Sequence, residues 1–314
     1  MARVQHREAV RPLAAAPAMR RRARLPRWWM AGPSLAWWGF FFVIPIAWIA
    51  LYSLGTKPAD VARGAVSLDV LSLGNYVAAT SEIFLRVFWI TVRTAGIGTL
   101  LCALVGFPVA YALANHVAPR WQAGLLFLLV LPYWTSFLLR TFAWRIILAP
   151  EGALSDALRS IGVLTQPLSM LDTNAAVQLG IIYNYLPLMI LPIYVALERI
   201  DPHLRQASMD LGAGHLRTFL SITLPLAWPG LAGGMLLTFI LAAGDYVVPA
   251  ILGGAKGLMV GNLVATQILA SQNLPIGAAM AIILIVLLAI VVLLALFALI
   301  LARTALRLAR GPAV

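Results

Sequence analysis

The chain has 314 residues, 62% of them apolar and 11% charged, with a formal net charge of +12 from 23 Lys and Arg against 11 Asp and Glu. A water-soluble domain runs nearer roughly 45–50% apolar and about 25% charged, so disordered, collagen-like and disulfide-scaffold classes are excluded and the bilayer is the expected solvent. Its single cysteine, Cys102, permits no intrachain disulfide and leaves the redox compartment open.

In chain order, eight arginines (Arg3, Arg7, Arg11, Arg20, Arg21, Arg22, Arg24 and Arg27) precede the first apolar run, with no aromatic residue until Trp28. That pattern marks a positive-inside anchor beside anionic headgroups rather than a nucleic-acid surface. Residues 1–33 are read as a basic cytoplasmic tail. The first span, Ser34–Leu54, is longer than a signal-peptide core and lacks a small-residue cleavage site, so it is expected to be retained. Residues 55–90 form an outer loop ending in an amphipathic piece, Tyr76–Ile90. Its Ile83, Val87 and Ile90 share a helical face, either along the membrane interface or as an extension of the next span.

Five further stretches reach the roughly 20 apolar residues a spanning helix needs: Thr91–Ala114, Gln122–Trp144, Ala175–Leu197, Ala227–Pro249 and Ala278–Leu301. They make residues 91–302 a helical core, followed by a basic cytoplasmic tail, 303–314. With both termini in the cytoplasm, 15 of the 23 Lys and Arg fall on the inner side and 8 on the outer, and this excess sets the orientation. Outer residues 145–174, with Pro150, Gly152, Gly162 and Pro167, break into short helices and turns.

The inner loop 198–226 carries the function. Asp201-Pro202 predicts a helix start, with Asp as N-cap and Pro at the first helical position. The segment runs to Leu211 and stops at Gly212 and Gly214. Leu216–Ile222 then resumes helix, and Pro225 begins the next span. Two short helices meeting at a glycine turn on the membrane surface suit docking into a groove on a soluble partner.

Gln206-Ala207-Ser208, Gly212 after three residues, and Ile222-Thr223-Leu224-Pro225 after nine more resemble the Glu-Ala-Ala loop motif of ABC-importer permeases. Spacing matches throughout, with Gln206 replacing the Glu and Ser208 the second Ala; Asp210 lies between. Asn75-Tyr76, Gly106–Tyr111, Pro132–Ser136, Arg140–Trp144, Gly244–Pro249, Leu252–Gly254 and Gly261-Asn262 are similar to the first permease subunit of spermidine/putrescine importers.

The resemblance implies an all-α integral membrane protein with the six-helix fold of binding-protein-dependent ABC permeases, multi-pass in a bacterial inner membrane. It implies a second permease subunit, two ATPase subunits and an external solute-binding protein as partners, with no nucleic acid. Alternating access would carry a polyamine or another small solute.

No Gly-Lys-Ser/Thr phosphate loop accompanies either lysine, Lys57 or Lys256. The chain is therefore read as no enzyme. It is expected to hold no cofactor or metal, ATP and Mg being bound by the partner subunits.

Arg140 and Asp245 are notable ionisable residues within spans. Each lies 18 residues past its span's inner start, about 27 Å at 1.5 Å per residue. Equal depth allows a structural ion pair. It equally allows an outer-vestibule carboxylate at Asp245 that draws in a cation, with Tyr133, Trp134 and Tyr246 stacking on it. Aromatic residues at helix ends also belong to the interfacial belt. Rival classes are an ATPase-independent secondary transporter, which would show inverted repeats with ionisable residues at the midplane, and a membrane enzyme, which would need an acid/base or metal constellation.

Overall fold

The computed structural model describes residues 28–58 and 65–309. The arginine-rich stretch 1–27, Arg63 and residues 310–314, on which part of the sidedness argument rests, lie outside the described residues. The chain divides into two compact units, Met1–Trp48 and Ile49–Val314.

In the first unit, α1 (Trp28–Trp38) passes through a π-helical turn, Gly39–Val43, into α2 (Ile44–Leu54), whose C-terminal end belongs to the second unit. Trp37 and Phe41 lie against each other along this run, with ring centroids 4.3 Å apart and planes tilted by 39°.

The second unit is mainly helical, with an isolated bridge between Thr56 and Ser67 and turn-rich stretches between its helices. α3 (Gly74–Ala79) is fixed to the end of α2 by Asn75 Nδ2, which donates to the carbonyls of Ser53 and Gly55. Ser81 then caps α4 (Glu82–Asn115), a single 34-residue helix, about 51 Å long at 1.5 Å per residue. The piece Tyr76–Ile90 is therefore two elements, and residues 82–90 extend the second span. The buried stripe there is Phe84, Val87 and Thr91, whereas Ile83 and Ile90 are exposed.

The third apolar stretch is not one straight span. α5 (Pro119–Val130) tightens into a 3₁₀ turn, Leu131–Trp134, stops at Thr135 and Ser136, and resumes as α6 (Phe137–Ile147) at 89°. Pro132 explains the break. It cannot donate to the helical ladder, and Thr135, extended at ψ 153°, turns its hydroxyl back onto the Pro132 carbonyl at 2.7 Å. The equal-depth estimate for Arg140 assumed a straight helix and fails with it.

After α6 comes α7 (Ala153–Ser160) in a turn-rich segment, then α8 (Asn174–Glu198). α9 (Pro202–Asp210) follows, and α10 (His215–Thr218) leads through a π turn, Phe219–Thr223, into α11 (Leu224–Gly244). Pro225 does not begin a new helix. The wide π turn, in which Leu224 N–H bonds to Phe219 O, accommodates the missing donor, so His215–Gly244 is continuous. Short α12 (Val247–Leu252) and α13 (Val260–Ala265) precede α14 (Leu274–Ala309).

Among the described residues, five helices are long and apolar enough to cross a membrane, or six if the bent pair is one span. α8 lies at the centre, packed against α4 and α11. Small residues set these distances: a Cβ on Gly230 would collide with the Pro192 carbonyl, and one on Gly234 would sit 3.1 Å from Met189 O, while Gly233 faces open space. Gly230 and Gly234 thus serve close packing.

Candidate functional site

The loop helix is built by local signals. Asp201 caps α9 by accepting from His203 N–H at 2.9 Å, and Pro202 occupies the first turn, where its missing donor costs nothing. At the other end Gly212 has φ +83°, a left-handed geometry that L side chains rarely adopt. Its N–H bonds to Met209 O at 2.9 Å and Ala213 N–H to Ser208 O at 3.1 Å, which closes the helix.

Of the motif residues, Gln206, Ala207, Asp210 and Gly212 are exposed on this element. Gln206 takes up a bond with His203 Nδ1 at 3.1 Å. Ser208 bonds to Thr218 Oγ1 at 3.0 Å and ties α9 to α10, a link the family's Ala could not make. Arg205 reaches back to Asn115 Oδ1 at the end of α4. Leu204, Leu211 and Leu216 are exposed, Leu211 at 89%. Ile222, Leu224 and Pro225 stand apart, in the π turn and the first turn of α11.

The second candidate group collects at the bend between α5 and α6. Tyr133 O–H donates to the carbonyl of Asn184 in mid-α8. The Arg140 guanidinium lies 4.7 Å from the centroid of the Tyr133 ring and 5.8 Å from that of Phe137, a cation–π contact. Arg140 and Asp245 are both buried, yet no ion pair joins them.

Asp245 is instead a helix cap. Its Oδ1 accepts from Val247 N–H at 2.8 Å and Val248 N–H at 3.3 Å, and its Oδ2 from Tyr185 O–H at 3.1 Å. At 6% exposure it is not an open vestibule carboxylate. Trp134 and Tyr246 are exposed, at 74% and 48%. Trp134 lies edge-on to Phe127 at 5.4 Å, and the Tyr246 carbonyl accepts from Asn262 at 2.9 Å. The structure therefore gathers Tyr133, Arg140 and Asp245 around α8 and leaves the two other aromatic side chains at the surface.

Sequence reasoning missed Asn184 and Tyr185. Asn184 is 1% exposed, and neither of its side-chain amide atoms has a partner among the described residues. Two adjacent polar residues inside an apolar stretch are the signal that could have found them.

Compared with known proteins, the chain matches the family of binding-protein-dependent transport system inner membrane components over residues 106–306. It is 36% identical over 255 residues to the spermidine/putrescine transport system permease protein PotB of Haemophilus influenzae, covering 81% of this chain and 87% of that one. It is 33% identical over 275 residues to the inner membrane ABC transporter permease protein YdcU of Escherichia coli, covering 83% and 85%. Its fold is similar to a chain of a bacterial ABC transporter involved in the import of the acidic polysaccharide alginate, with a TM-score of 0.68 at 18% identity, covering 86% of this chain and 94% of that one. A family match across more than half the chain, on a bundle of five or six apolar spans, makes this a multi-pass inner-membrane protein, and the chain belongs to the binding-protein-dependent transport system inner membrane components.

Proposed function

We propose that the chain is a permease subunit of an ATP-driven importer and forms part of a translocation path for a small organic cation of the polyamine class. The observation that carries this reading is the 36% identity, sustained over most of the chain, to permeases named for spermidine and putrescine. In this reading ATP and Mg are bound and hydrolysed by separate ATPase subunits, a second permease subunit completes the path, and an external binding protein delivers the solute. ATP binding favours one of two global states, and that difference in affinity drives alternating access.

Both termini and the loop 198–226 face the cytoplasm in this proposal, where α9 docks on the ATPase. The exposed Leu204, Leu211 and Leu216 beside Gln206, Ala207 and Asp210 support this use, because a short helix with an exposed apolar ridge fits a groove. Gly212 aims the helix. Ser208 holds it to α10, and Ile222, Leu224 and Pro225 pass its movement into α11. Along the path, the accessible faces of Trp134 and Tyr246 meet the cation, while Tyr133 and Arg140 hold the bend that carries Trp134 and Asp245 caps the short helix that follows Tyr246.

Reconstituting the chain with its ATPase, second permease and binding protein in vesicles tests the reading. Spermidine uptake that requires ATP on the loop side is expected. Uptake without ATP, or ATP turnover stimulated by the loaded binding protein with no spermidine moved, would overturn it. For sidedness, a Cys replacing the exposed Leu211 in a Cys102→Ala background should resist an impermeant thiol reagent in whole cells and react in inverted vesicles.

A further inference from the structure

Behind the loop helix lies a cavity of 280 Å³, walled by one face of α9, the C-terminal end of α4 and the helical run that starts at His215. Arg205, His116 and His215 line it, together with Asn115 and Gln206, and no Asp or Glu does. One guanidinium nitrogen of Arg205 is bonded to Asn115, and its other N–H groups have no partner among the described residues. Thr223 also lines the cavity. It is 1% exposed, and its hydroxyl has no hydrogen-bond partner among the described residues. A buried hydroxyl left unpaired in the same cavity wall as a guanidinium with one nitrogen bonded is an arrangement that lacks its ligand.

The donor set fixes the ligand's chemistry. A planar guanidinium matches the oxygens of a phosphate group in a bidentate fashion, with neighbouring hydroxyl, amide and imidazole groups donating to the remaining oxygens. A cation would meet Arg205 and no carboxylate. The inner part of the wall is apolar, with Tyr111 and Phe219 in edge-on contact at 5.9 Å and Met209 beside them. The cavity lies where α4 ends, at Asn115 and His116, and where the helical run into α11 begins, at His215. A volume of 280 Å³ is at the small end of ligand pockets, which run roughly 300–1,000 Å³.

We infer that this cavity is a phosphate-group site that fastens the loop helix to the bundle. The phosphate belongs either to an anionic lipid headgroup or to a free phosphate ion. Bound, it bridges Arg205 of α9 to Thr223 of the continuing span, the two elements whose relative position would set the direction of α9.

The test uses the full chain purified in a nonionic detergent, with thermal unfolding followed as phosphatidylglycerol or diacylglycerol is added. A parallel titration compares inorganic phosphate with chloride at matched ionic strength. A rise with phosphatidylglycerol alone assigns the headgroup, a rise with inorganic phosphate alone assigns the free ion, and a rise with both assigns the phosphate group itself. In each case Arg205→Gln should weaken the apparent affinity at least tenfold. Arg205→Lys should weaken it less, and Thr223→Val by a few fold. Should Arg205→Gln disturb folding through its Asn115 bond, the exposed pair His116→Gln with His215→Gln should still weaken affinity while leaving the unliganded melting temperature unchanged. No rise with either phosphate species over its control overturns the site, as does an affinity indifferent to all of these substitutions.

Discussion

The loop helix and the bend between α5 and α6 are two polar features of one apolar chain, and they are built by different physics. α9 is set by its own residues: Asp201 caps it, Pro202 starts it and Gly212 at φ +83° stops it, all within twelve residues. The bend is held from afar. Tyr133 bonds to Asn184 of α8, some fifty positions away, and one residue further along α8 Tyr185 bonds to Asp245 at the end of α11, across sixty. Water solvates the first element, so its charges need no partners. The second turns Tyr133 and Arg140 toward the bundle, where protein rather than water has to supply most polar partners, and the Asn184 amide and two Arg140 nitrogens are left without one among the described residues. An exposed element of this kind can be re-aimed by a single residue, whereas a buried one fails when any of its contacts is removed.

The sharpest break of that contrast is at Asp245. Asp245→Ala removes the acceptor for two backbone N–H groups and a buried tyrosine hydroxyl. A lost cap and stranded donors together should destabilise the subunit by about 3 kcal/mol, read as a lower melting temperature and reduced complex yield. Asp245→Asn keeps a capping oxygen and should cost about 1 kcal/mol or less. The swap Asp245→Arg with Arg140→Asp should not restore assembly, because no Arg140–Asp245 pair exists to be inverted. Recovery in the swap would restore the ion pair and undo the cap assignment.

Packing offers the next largest effect. Gly230→Ala places a methyl group against the Pro192 carbonyl of α8, and overpacking of this kind costs typically 1–3 kcal/mol. Gly233→Ala meets nothing within 4 Å and should be neutral or slightly stabilising, since alanine favours helix over glycine. Equal melting temperatures for the two variants would contradict the close approach of α8 and α11.

These two cases also show what could be read from sequence. The spans were visible because apolar length is a local property, and α9 was visible because Asp-Pro and Gly are local punctuation. The bend at Thr135 was hidden. Pro132 sits in a stretch apolar enough to pass as one helix, and a proline alone does not distinguish a kink from an 89° turn. The Arg140–Asp245 pairing failed for the same reason, as depth along a helix cannot be counted through an unseen corner. Asp245 itself carried a usable signal: a carboxylate two and three residues ahead of Val247 and Val248, just after Gly244, is a helix-start pattern. Continuity through Pro225 was hidden too, because a π turn leaves no residue signature of its own.

In the loop, Gly212→Leu should cost only about 1–2 kcal/mol for forcing a side chain into left-handed geometry. Gly212→Asn should cost less, since asparagine tolerates that region. The functional effect should be out of proportion to the stability change. A re-aimed α9 should lose most stimulation of the ATPase while the subunit stays inserted, which a vesicle ATPase assay reads directly. Normal turnover and transport in Gly212→Leu would remove the docking assignment.

The smallest expected effect is the most specific. Ser208→Ala restores the residue that the related loops carry, so an argument from resemblance expects no harm. The structure expects a loss, because the Ser208 hydroxyl bonds to Thr218 Oγ1 at 3.0 Å across the glycine turn. One neutral hydrogen bond contributes about 0.5–1.5 kcal/mol net. Thr218 is buried and Ser208 is half-buried, so removal of either partner strands the other's hydroxyl. Thr218→Val should therefore cost a similar amount, and the double variant should cost less than the sum of the two. The shortfall, about 1 kcal/mol, is the coupling between α9 and α10. Amide exchange places it: exchange in residues 202–210 should quicken in either single variant while that of α8 stays unchanged. Strict additivity would mean that the bond carries no coupling and that Gly212 alone orients the loop.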